Sequence, residues 1–163
     1  MPKRIVIDGL SNKNINAAIR EVQKYKTWVE AKEKELVERL AAAGADVARV
    51  VFASATYDGV NDVTVRVDQT GSVAVIYAEG QAVAFIEFGA GDRYGHGHPK
   101  AGELGMGAGT YPEGKGHWDD PKGWWYAHGK HSYGNPPAMA MYQAVQRMQE
   151  EITTIAREVF RTS

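Results

Sequence analysis

The chain contains no cysteine. This absence excludes disulfide bonds, thiolate metal ligands and thiol nucleophiles together. It leaves the cellular compartment open, because a chain without cysteine tolerates any redox environment. Chemistry at this protein must therefore depend on carboxylates, imidazoles, hydroxyls or binding surfaces.

An excess of charge of either sign is also lacking. The 163 residues carry 19 Lys and Arg against 20 Asp and Glu, a net charge of -1. No polyelectrolyte attraction draws such a chain to nucleic acid or to anionic lipid, so we do not expect tight sequence-independent binding of DNA. We also expect no sequence-specific nucleic-acid binding. No run approaches the roughly 18 apolar residues of a membrane span, and the start is too short in apolar residues for a signal peptide. We therefore expect a protein made in the cytoplasm, with no membrane partner.

Glycine is plentiful but unevenly placed. Of the 18 glycines, thirteen lie between Gly89 and Gly134, together with all five histidines. The length suits one domain with one core. We therefore expect a single domain over 1–163, in which 1–88 and 135–163 form the core and 89–134 form an extended insertion or docking arm.

The regular part of the sequence predicts an α+β fold. Apolar residues recur at helical spacing from Ser11 to Ala43, with Gly44 as a C-cap. A second amphipathic helix is expected to begin at Asn135 as N-cap, with Pro136 in its first turn. Between them, β-branched runs and turn residues predict an antiparallel meander sheet and a short helical turn. The predicted strands are 3–9, 47–53, 63–68 and 72–78. Residues 81–88 suit either a short helix or a strand, and we favour the helical turn.

The insertion 89–134 is 46 residues long, neutral and rich in aromatic rings, which disordered segments lack. Two uses of these rings are open. They pack against another molecule, since Trp and Tyr are enriched at interface hot spots, or they fold back over their own sheet. Under the first hypothesis Glu87 and Phe88 hold the base of the arm, and the contact residues are Tyr111, Trp118, Trp124, Trp125 and Tyr126.

The histidines raise an enzymatic alternative. Imidazoles beside carboxylates suit zinc or iron, so a metal-dependent hydrolase would use His96, His98, His117, His128 and His131. None of these lies on a predicted helix at the spacing of a helical zinc motif, so we expect no metal, no cofactor and no catalytic residue. Glu87 ends an apolar run without a second catalytic group, and we expect its carboxylate to fix backbone amides.

Several segments together resemble a known family. They are Ala84-Phe85-Ile86-Glu87-Phe88-Gly89, the Pro136-Pro137 pair, Gly109-Thr110-Tyr111-Pro112, His117-Trp118-Asp119-Asp120-Pro121 and Gly123-Trp124-Trp125-Tyr126. With the order of elements, they look like the tail-completion and head-tail joining proteins of tailed bacteriophages, minor tail protein Z-like. The connection after Glu-Phe-Gly is longer here than is common in that family.

The resemblance implies a structural virion protein of the phage or prophage neck, made in the host bacterial cytoplasm. It implies a hexameric ring of identical copies between the head connector or adaptor and the tail terminator or tail tube. It carries over no catalytic residue. A soluble module that regulates a host protein is a third class, and the neighbouring genes would discriminate it.

Overall fold

The computed structural model describes residues 11–106 and 120–161, and the predicted strand 3–9 lies outside them. Two long helices, a two-stranded hairpin, a short helix and a small second ribbon pack together, so the α+β fold is confirmed. The elements are α1 Asn12–Ala53, β1 Thr64–Thr70, β2 Val73–Glu79, α2 Val83–Phe88, β3 Trp124–Trp125, β4 His131–Ser132 and α3 Ala140–Val159.

Helix α1 is one uninterrupted helix of 42 residues. It begins where the Ser11 side chain accepts a hydrogen bond from the Asn14 N–H at 3.3 Å, an N-cap. The predicted end at Ala43 is wrong, and so is the predicted strand 47–53, because the helix continues to Ala53. Its last turns bury one face against the core, and this packing overrides the β propensity of the local sequence.

Small residues allow α1 and α3 to pack closely. Ala45 and Ala48 of α1 and Ala140 and Ala144 of α3 are all buried. Gly44 is not a C-cap: a Cβ there would lie 2.9 Å from Met148 Sδ, so the glycine lets α3 approach the α1 backbone. The largest fully buried side chains, Phe52, Ile86 and Val159, come from α1, α2 and α3.

The hairpin matches its prediction. Strands β1 and β2 pair antiparallel from Thr70 opposite Val73 to Thr64 opposite Glu79. Gly71 has φ +60°, which the tight turn between the strands requires. Alternate residues on one face are half-buried over the helices. The meander reduces to these two strands, because its predicted first strand, 47–53, belongs to α1.

Helix α2 confirms the helical turn predicted for 81–88, and a distant carboxylate fixes its start. Asp62 accepts hydrogen bonds from the Gln81 N–H at 2.6 Å and the Ala82 N–H at 3.0 Å. Local sequence gave no signal for this cap, since it lies about 20 residues upstream. The following turn buries Phe85, whose ring stacks on Tyr57 with centroids 4.4 Å apart.

The Asp62 cap predicts a specific pH dependence. The Ala82 N–H, followed by the Gln81 N–H, lowers the pKa of Asp62 from its ordinary value of 3.8. A lowered folded-state pKa contributes stability above pH 3.8 that is lost as the pH falls through the folded-state value. We expect Asp62→Asn to lower the Tm at neutral pH and to show a smaller further loss than wild type on acidification.

Thermal unfolding followed by circular dichroism, from neutral pH to about pH 2, measures this difference. Asp68→Asn is the matched control, since Asp68 is an exposed carboxylate on β1 that caps no helix. Parallel Tm-against-pH curves for wild type and Asp62→Asn would contradict the assignment.

Candidate functional site

Glu87 is a buried carboxylate that caps α3 from a distance. Its Oε2 accepts a hydrogen bond from the Met141 N–H at 2.9 Å, and its Oε1 accepts one from the Tyr142 N–H at 3.1 Å. Met139, the residue before the helix, has φ +58° and supplies no capping side chain. A negative charge is favourable at a helix N-terminus, where backbone N–H groups lack intrahelical partners. The prediction that Glu87 fixes backbone amides is confirmed.

Helices α2 and α3 stabilise each other's ends, because the segment before α3 donates hydrogen bonds to the last carbonyls of α2. The Ala138 N–H donates to Ile86 O at 2.7 Å, and the Met139 N–H donates to Glu87 O at 3.2 Å. Asn135 Nδ2 donates to Phe85 O at 2.9 Å. The prediction that Asn135 is the N-cap of the last helix is therefore wrong. Residues 135–139 donate to the free carbonyls of α2, and α3 begins only at Ala140.

His98 connects the insertion to this cap. Its Nδ1 accepts a hydrogen bond from the Lys100 N–H at 3.1 Å, which places the ring proton on Nε2. Nε2 then donates to Glu87 Oε1 at 3.2 Å. The ring centroid lies 4.5 Å from that of Phe88, and the side chain is only 3% exposed. Glu87, Phe88 and His98 thus form the base of the insertion.

The two ends of the insertion cross at a backbone contact, which we call the stem. Ala90 and Asn135 form an antiparallel bridge with N···O distances of 2.9 and 3.0 Å. A Cβ at Gly134 would lie 1.8 Å from Ala90 O, and one at Gly91 would lie 2.4 Å from Tyr133 O. The chains can approach this closely only because glycines occupy these positions.

Two of the five predicted contact residues of the arm pack inward. Trp124 lies against the core, and Tyr126 meets Tyr57 edge-on with centroids 6.4 Å apart. His128 Nε2 lies 3.0 Å from Asp58 Oδ1 and fixes the same loop. The interpretation that the rings fold back therefore describes Trp124 and Tyr126, although they cover the core around Tyr57 and not a sheet face.

Other rings of the insertion face outward in a continuous row. Trp125 is 71% exposed because successive residues of β3 point to opposite sides. Its ring meets His131 at 4.6 Å, and His131 meets Tyr133 at 4.7 Å. The Arg93 guanidinium lies 5.7 Å from the Tyr133 ring centroid and 5.2 Å from that of Tyr94. We call these five side chains the aromatic row.

The histidines do not come together in the part of the chain that the structure describes. His96 contacts the backbone oxygen of Asp92, whereas His98, His128 and His131 have the separate partners given above. Across 11–106 and 120–161, no three His, Asp or Glu side chains are grouped so as to hold a metal ion. The remaining candidates, Tyr111, His117 and Trp118, lie outside the described residues.

An apolar groove of about 500 Å³ opens beside this base. Glu87 and His98 reach its wall, but most of its lining is apolar, and a second groove of about 330 Å³ shares Met141 and Val145 with it. Sequence reasoning missed the grooves because five separate segments line them together, α1, β2, α2, the start of the insertion and α3. The apolar and aromatic lining residues of the larger groove are Ala78, Val83, Ala84, Phe88, Leu104, Met141, Tyr142 and Val145.

No protein-family model, curated protein or solved structure matches this chain. Among the helices of the described residues, none is long and apolar enough to cross a membrane.

Proposed function

We propose that this chain is a structural virion protein of a phage or prophage neck, which completes the tail or joins the head connector to the tail as a subunit of a hexameric ring. The observation that supports this is the aromatic row, in which the Trp, Tyr and Arg side chains are exposed and His131 is half-buried. Trp, Tyr and Arg are the residues in which interface binding energy concentrates.

The contacts that attach the insertion to the rest of the protein support a docking role for the aromatic row. Glycines at the stem and the hydrogen bonds of Glu87 hold both ends of the insertion against α2 and α3. Trp124 and Tyr126 attach its middle to the core. A rigid platform loses little conformational entropy when it binds, so an exposed row on such a platform favours protein–protein contact.

Among the described residues, the most buried titratable pair does not favour catalysis. Glu87 and His98 are 4% and 8% exposed, and their polar side-chain atoms bond to backbone amides and to each other. Their geometry fixes the fold around α3. The metal-dependent hydrolase stays an untested alternative, and elemental analysis of the untagged protein would test it through stoichiometric zinc or iron.

Complementation tests the proposal. Deleting the gene in the phage or prophage that encodes it is expected to yield filled heads and unattached tails by electron microscopy, and the wild-type gene restores joined particles. Trp125→Ala is expected to reduce joining at least about tenfold, since hot-spot truncations cost about 2 kcal/mol or more. Its stability should stay within about 0.5 kcal/mol of wild type, because the ring is exposed.

Tyr77→Ala is the matched control, since Tyr77 is an exposed aromatic residue on β2, away from the insertion. We expect it to restore joining fully. Normally joined particles in the gene deletion would contradict the neck function. Full joining by Trp125→Ala would contradict docking through the aromatic row.

A further inference from the structure

Within residues 11–106 and 120–161, the first 16 residues of α1, 12–27, extend past the end of α3. Helix α3 ends at Val159, and the Phe160 ring meets Trp28 edge-on at 6.0 Å, so the paired part of α1 starts near Trp28. At about 1.5 Å per residue the preceding segment is about 24 Å long. We call residues 12–27 the projecting segment.

The projecting segment carries an apolar stripe that is exposed in the part of the chain that the structure describes. Ile15, Ile19, Val22 and Tyr25 step by four, three and three residues, which places them along one face. Each is between 38% and 52% exposed. Such a stripe at i, i+4, i+7 and i+10 is the pattern by which a helix lies in an apolar groove.

The same chain supplies a groove of that kind. The adjoining cavities beside α3 share Met141 and Val145 and form a trough between α1, the hairpin, α2 and the first part of the insertion. Its rims include the exposed side chains Leu104 and Val145. Methionines in the lining, Met141 and Met148, adapt to the shape of an incoming side chain.

Charge favours a second copy as the occupant. The projecting segment carries four cations, Lys13, Arg20, Lys24 and Lys26, against Glu21, a net charge of +3. Since the whole chain is -1, the remainder carries -4. In the groove lining itself the one glutamate, Glu87, and the one lysine, Lys100, balance, so the opposite charge belongs to the body as a whole. Opposite net charges steer the segment of one copy towards the body of another.

The geometry prevents the projecting segment from lying in the groove of its own chain. The projecting segment continues straight past the end of α3, whereas the larger groove lies beside the first half of α3. Reaching it would require breaking α1, which is helical throughout residues 12–53. A contact between different surfaces of identical copies is head-to-tail, and such contacts close into rings when the rotation allows.

We propose that the projecting segment of one copy lies in the apolar groove of the next, with Ile15, Ile19, Val22 and Tyr25 facing Leu104, Met141 and Val145. This contact rests on the ring assembly proposed above and identifies the surfaces that form it.

Photo-crosslinking tests the contact without assuming a register. Benzoylphenylalanine is placed at Val22 of an isotope-labelled protein, which is mixed with unlabelled protein and irradiated, and the products are mapped by mass spectrometry. We expect crosslinks between labelled and unlabelled copies, ending in residues 78–104 or 141–149. Ala17, exposed on the opposite face of the same helix, is the matched position and should give no such product.

A second variant measures the strength of the contact. Val22→Asp keeps the helix fold, since the residue is 52% exposed, and is expected to weaken self-association at least about tenfold by sedimentation. Unchanged self-association would overturn the proposal. Crosslinks joining two projecting segments, crosslinks within one copy only, or none at all would also overturn it.

These results are separable from those of the complementation assay. If two projecting segments pair with each other, the proposed groove contact is wrong, but the neck function is unaffected. If the crosslinks end in the groove but the gene deletion still gives joined particles, the groove contact is supported and the neck function is wrong.

Discussion

Glu87→Ala is expected to destabilise the protein by about 3 to 5 kcal/mol, the cost of removing one member of a buried, hydrogen-bonded charged group. The change leaves the Met141 and Tyr142 N–H groups and the His98 Nε2–H without their acceptor. For a chain of this length 1 kcal/mol corresponds to about 2 to 4 °C, so the Tm should fall by about 10 °C. Urea unfolding and thermal melts followed by circular dichroism measure both quantities.

Two further variants make this result specific. Glu87→Gln keeps the size of the side chain but retains one acceptor oxygen, so we expect roughly half of the loss. Glu103→Ala removes an exposed glutamate paired with Lys100 at 2.9 Å and should cost less than about 1 kcal/mol, as surface ion pairs do. A Glu87→Ala protein within about 1 kcal/mol of wild type would show that the carboxylate does not hold α2 to α3.

Gly134→Ala is expected to cost about 4 kcal/mol, in the range reserved for severe backbone conflicts. The new Cβ would lie 1.8 Å from Ala90 O, a backbone atom that cannot move without breaking the Ala90–Asn135 bridge. The residue also has φ +102°, which side chains rarely adopt. We expect a lower Tm and faster proteolysis within the insertion, because its stem opens.

Gly97→Ala separates the cost of the close contact with Ala90 O from the cost of the positive φ. Gly97 has a nearly equal φ of +104°, but no atom lies within 4 Å of a Cβ placed there. It should show only the cost of the left-handed backbone, about 1 to 2 kcal/mol. Equal losses for the two variants would mean that the close approach at the stem contributes nothing.

Glu87→Ala and Gly134→Ala act on the base and the stem of the insertion, which position the aromatic row. Glu87 fixes the start of α3 and the His98 end of the insertion, whereas Gly134 allows the insertion to return beside Ala90. When the base or the stem is loosened, Trp125 stays exposed but is no longer held in one place. We therefore expect either variant to reduce docking more than its loss of stability explains, and Trp125→Ala to reduce docking without that loss.

Local patterns predicted the elements that depend on local interactions. The Thr70-Gly71 turn and the alternating residues around it identified the hairpin. The apolar spacing identified both long helices and the short α2, and the Glu-Phe-Gly segment drew attention to Glu87. They failed at the ends of helices, where Gly44 looks like a stop and Asn135-Pro136 looks like a start.

The sequence alone determined the absence of thiol chemistry, the α+β class and the position of the glycine-rich aromatic insertion, because these follow from composition and short-range periodicity. Only the tertiary structure decided that Gly44 lies inside a helix, that Glu87 caps a helix 54 residues later and that Trp124 faces inward while Trp125 faces outward. The reason is physical. Each of these depends on which backbone group or core surface another segment brings within about 3 to 4 Å, and no local pattern encodes that distance.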